Sequence, residues 1–87
     1  MINIREITML HELNKEESKP YFENGFRIYD DLKQKFGCDT PEALDAILNS
    51  LCVSFIVLIL KHINHDDYEK FFNVIYKIIR ENVNKNK

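Results

Sequence analysis

Glycine and proline are nearly missing from this chain, two of each in 87 residues. With so few turn formers the many tight reversals of a small barrel or sandwich are excluded, and a few helices with short connections are the economical reading. Tryptophan is absent, and cysteine is limited to Cys38 and Cys52, without the Cys-x-x-Cys spacing of a metal knuckle or redox pair and with no signal-peptide pattern ahead of them. They read as reduced thiols of a cytoplasmic protein, Cys52 serving as core filler. Gly25 and Gly37 stand alone, so no phosphate-cradling loop is present, and no Asn-x-Ser/Thr triplet occurs.

An excess of positive charge is also lacking. The formal charge is −2 and the pI near 5.9, which speaks against a domain that holds nucleic acid by neutralising phosphates. Lys77, Arg80, Lys85 and Lys87 against Glu81 make the C-terminal end basic, which reads as a solvated helix end aided by the helix dipole. A DNA-binding regulator that uses this end is the alternative.

Apolar residues, by contrast, make up 45 % of the chain, as expected of a folded domain. The run Leu51 to Leu60 raises the question of a membrane span, but extending it to 18 residues brings in Asp45, Asn49 and Ser50, and the clean stretch is too short to cross hydrocarbon. No membrane association is expected. The length suits one domain, whose modest core makes a dimer worth considering. Nine Asn, nine Lys and eleven Ile are the bias of AT-rich coding DNA, frequent in phages and plasmids.

The periodicity predicts an all-α fold: a small antiparallel bundle of three to four helices at about residues 3–17, 20–36, 41–62 and 66–83, in a single domain spanning 1–87. In the first segment Ile4, Ile7, Leu10 and Leu13 recur at strict i, i+3 spacing. Pro20 is expected in the first turn of the second helix, Phe22, Phe26, Tyr29, Leu32 and Phe36 on its inner arc, and Gly37 at its C-terminal cap. A hairpin at Asn24-Gly25 is the rival reading there. No internal repeat is evident.

Asp39-Thr40-Pro41-Glu42 is a helix start with a capping side chain, Pro at the first position and an acid in the first turn. The helix it opens, about Pro41 to His62, is amphipathic in its first half, with Leu44, Ile47, Leu48 and Leu51 on one face. Its second half is apolar nearly all round, so Val53, Ile56, Val57 and Leu60 require a second covering layer or mark a site of self-association. Asn64 and His65 before Asp66 and Asp67 open the last helix, whose stripe runs from Tyr68 through Phe71, Phe72, Ile75, Tyr76, Ile78 and Ile79 to Val83.

No residues assemble a catalytic site. His62, His65, Asp66 and Glu69 fall across a helix break rather than on one face, His11-Glu12 is an ordinary solvated pair, and neither cysteine has a base spaced to activate it. No enzyme activity, cofactor or metal is expected. What remains is surface, with Glu12, Glu16, Glu17, Glu23, Asp30 and Asp31 as candidate contacts to a protein partner with a basic surface. The expectation is a small acidic protein-interaction module of the phage or mobile-element kind, an inhibitor, immunity protein or regulator. A homodimeric structural or chaperone-like bundle is the alternative.

Overall fold

Thr40 and Pro41 act as their sequence implies. The Thr40 hydroxyl accepts from the Ala43 amide at 3.1 Å, and Pro41 takes the first helical position, where its missing N–H costs nothing. The helix that follows, α2, runs Pro41–His62 in the computed structural model, which describes residues 1–86. Before it lies α1 (Lys15–Phe36) and after it α3 (Tyr68–Lys85). The chain is all-helical, with three α-helices and no strand among the described residues. Gly37 ends α1 at φ +80°, a backbone setting that favours glycine, and its N–H returns to the Lys33 carbonyl at 2.7 Å.

The first segment departs from the expected helix over residues 3–17. It forms an extended strap with two short 3₁₀ turns, Ile4–Glu6 and Leu10–Glu12, separated by extended residues such as Ile7 and Met9. The strict three-residue spacing of Ile4, Ile7, Leu10 and Leu13 is the period of a 3₁₀ turn, whereas an α-helix needs 3.6. A six-residue repeat underlies the strap, NIREIT followed by MLHELN, which the sequence reading missed. In each unit a glutamate folds back three residues: Glu6 Oε2 accepts from Asn3 N at 2.9 Å, and Glu12 Oε2 from Met9 N at 3.1 Å. The same device opens α1, where Asn14 and Glu17 cap each other at 2.8 and 3.0 Å. That box starts α1 at Lys15, so Pro20 sits inside the helix rather than in its first turn. Gly25 also lies mid-helix, which removes the hairpin alternative.

The strap is fastened at the elbow between α2 and α3. Ile2 donates to the His62 carbonyl at 2.6 Å and accepts from Asn64 N at 2.9 Å, an isolated parallel bridge centred on Ile63. The buried Asp67 carboxylate accepts from Ile4 N at 2.8 Å. Asp66 and Asp67 were expected to favour the start of the last helix, yet they lie in a 3₁₀ turn, His65–Asp67, just before α3, and neither Asn64 nor Asp67 makes a side-chain capping bond there. Ile59, Ile63 and Phe71 form the core at this elbow, with Ile4, Ile7, Tyr68 and Ile75 packed on it, and Ile63 is only 1 % exposed.

Candidate interaction surface

The buried side of α2 changes along its length. Ala43 and Ile47 are covered in the first half, Ile59 and then Ile63 at the far end, and these pairs lie roughly 160° apart round the helix at 100° per residue. Everything from Leu51 to Leu58 is exposed. The expected second layer over this half is therefore missing: Val53, Ile56, Val57 and Leu60 all face solvent, Leu60 at 62 %. The strap, which replaces the expected first helix, covers the Ile59–Ile63 side instead.

Beside the bare half, α2 and α3 form an apolar groove of about 460 Å³, lined by Cys52, Phe55, Ile56 and Ile59 from one helix and Phe72 and Tyr76 among others from the other. Cys52 is thus a free thiol in an open groove and not core filler. Half of the expected α3 stripe lies open as well: Phe71 and Ile78 are buried and Tyr68 and Ile75 half-buried, while Phe72, Tyr76, Ile79 and Val83 are exposed. The inner arc expected on α1 meets the same outcome, with Phe26 67 % exposed and Phe22, Tyr29 and Phe36 also open.

The totals agree with this local picture. A compact monomer of 10.4 kDa should expose about 5,400 Å², and this chain exposes 7310 Å². Its radius of gyration is 14.5 Å, against about 12 Å for a close-packed chain of this length. By length and composition α2 is also apolar enough to cross a membrane, with only 17 % of its most apolar window buried.

The polar side chains in the middle of α2 bond back to their own helix. Ser50 and Ser54 hydroxyls donate to the carbonyls of Ala46 and Ser50 at 2.6 and 3.1 Å, and the Asn49 amide donates to that of Asp45 at 2.8 Å. Such bonds let a hydroxyl be covered without an orphaned donor.

The six acidic candidates separate into two groups. Glu12 and Glu17 close backbone turns, as described above, and their placement follows from that local task. Glu16, Glu23 and Asp30 recur every seven residues along α1 and share a face, with Arg27 between them, while Asp31 stands roughly 100° away. None of these four is ion-paired among the described residues. The nearest thing to ligand clusters, His11 with Glu12 at 3.9 Å and His65 with Asp66 at 3.8 Å, are exposed pairs. No group of three metal-binding side chains occurs among the described residues. The strongest signal the sequence held was the apolar girth of α2, and the structure extends it onto α3. No protein-family model, curated protein or solved structure matches the chain.

Proposed function

We propose that this chain is a protein-interaction module without chemistry of its own, which works in the cytoplasm by masking or bridging a macromolecular partner. The observation that carries the reading is the uncovered apolar surface of α2 and α3. Soluble monomers rarely leave contiguous apolar patches beyond a few hundred Å² open to water, and larger ones mark binding surfaces. In this reading α2 and α3 run antiparallel as the rigid wall of a small bundle, and another polypeptide completes the bundle. The row Glu16, Glu23 and Asp30 on α1 supplies a second, polar surface toward a basic target, as suits an inhibitor, immunity protein or regulator of the mobile-element type.

The two cysteines test it with an internal reference. Cys52 lies in the groove and Cys38 in the α1–α2 connection, outside it. In extracts of the native cell a thiol reagent is expected to label Cys38 readily and Cys52 slowly, with equal labelling after denaturation. Cys38 is half-buried and Cys52 exposed in the lone chain, so labelling of Cys52 as fast as Cys38 or faster in the undenatured extract would show the groove empty and defeat the reading.

A further inference from the structure

We infer that the polypeptide covering the bare half of α2 is a second copy of this chain, in a twofold-symmetric dimer. The inference rests on the interaction-module reading and names its partner. Area is the first argument. The surface exposed beyond that of a compact monomer is roughly 1,900 Å² per chain. That excess is spread over the open faces of α1, α2 and α3, and two copies that each cover about half of it bury about 1,900 Å² in all, the size of a stable interface.

Charge and polarity are the second. From Ala46 to Leu60 the helix carries no ionisable side chain other than the Cys52 thiol, so placing this face against itself brings no like charges together. The hydroxyls of Ser50 and Ser54 already donate within the helix, so neither asks for an acceptor on a different partner. A twofold interface needs a patch that complements itself, and a neutral, aliphatic strip meets that condition. Val53, Val57 and Leu60 supply the strip, and Ile56, Phe72 and Tyr76 extend it over the groove.

The charges that bound the bare stretch favour a protein cover over a lipid one, although α2 as a whole is long and apolar enough to cross a membrane. The fifteen uncharged residues from Ala46 to Leu60 rise about 22 Å, short of the roughly 30 Å hydrocarbon layer. Asp45 and Lys61 bound the stretch on its two ends. At the elbow, moreover, the helix is tied by backbone bonds to the strap, which carries Arg5, Glu6 and Glu12.

The test uses the full purified chain. Light scattering at micromolar concentration is expected to give twice the 10.4 kDa chain mass. Val57→Glu on the strip is expected to give one chain mass with its helical circular dichroism kept, and Gln34→Lys, at an exposed position of α1, to remain dimeric. Should Val57→Glu fail to fold, labelling of the wild-type protein decides: Cys52 reacts about tenfold or more slowly than Cys38, because protection tracks the small open fraction, and dilution removes the difference. A single-chain mass with Cys52 labelled as fast as Cys38 or faster overturns the dimer, while the broader reading stands if Cys52 is still protected in native extracts. Partition of the wild-type chain into phosphatidylcholine vesicles, with Cys52 shielded only there, overturns both.

Discussion

Ile59 and Ile63 on one side of α2, and Val53, Val57 and Leu60 on another, are the same kind of side chain, branched and aliphatic, yet only the first pair is covered within the chain. The difference lies in what each side faces. The Ile59–Ile63 side meets Phe71 across the elbow and is closed by the strap, which arrives with backbone bonds to His62 and Asn64 and a carboxylate from Asp67. The other side faces no segment of its own chain that carries such anchors. Burial here follows from which backbone groups can be tied down, and hydrophobicity alone does not select the covered face.

The sharpest way to break this comparison is to truncate one residue on each side. Ile63→Ala should cost about 2 to 5 kcal/mol in urea unfolding, the range for emptying a closed site. Leu60→Ala should match it only when the second copy is in place, so its cost should fall as the protein is diluted. Equal, concentration-independent costs would show both sides closed by the same chain. A smaller effect is expected from Asp67→Ala, which leaves the Ile4 amide without its acceptor. A loss of about 1 to 3 kcal/mol should come with faster hydrogen exchange at Ile4, while amides of the α2 midpoint keep their rates.

On α1 the expected changes are smaller still. An added Cβ at Gly25 meets nothing within 4 Å, so Gly25→Ala should stabilise the helix by about 0.5 to 1 kcal/mol. That corresponds to a rise in Tm of several degrees for a domain of this size. Glu23→Lys, on a solvated face, should shift stability by no more than about 0.5 kcal/mol, and its interest lies in whether it weakens binding to a basic partner. Loss of thermal stability in Gly25→Ala would mean that α1 is packed in the assembled protein and that the comparison must be redrawn.

Much of the fold was legible because its signals are local. Thr40 and Pro41 announce α2, Gly37 closes α1, and the apolar girth of residues 51–60 marks a helix that its own chain does not enclose. The strap was misread because periods of 3 and 3.6 are hard to separate over a dozen residues, and the extended geometry at Ile7 and Met9 is what divides the turns. At α1 the proline signal is outweighed in the same way: Pro20 suggests a helix start, but the Asn14–Glu17 box three to six residues earlier satisfies the first free amides and opens the helix at Lys15. The buried pairing of Asp67 with Ile4 spans 63 positions, and nothing at either residue points to the other. The same is true of the open groove. Its lining residues are the ordinary apolar positions of two amphipathic helices, and only the missing layer turns them into a surface.

The bridge between Ile2 and Ile63 also sets an order of events during synthesis. The strap is made before α2, but its anchors at His62, Asn64 and Asp67 follow only at the end of that helix. At about 5 to 20 residues per second the N-terminus waits several seconds for its seat, and the apolar length of α2 emerges before anything can cap the elbow. The strap therefore closes on the elbow only once α2 has been made, and a nascent chain stalled within α2 would carry its stickiest segment with no α3 and no seated strap to shield it.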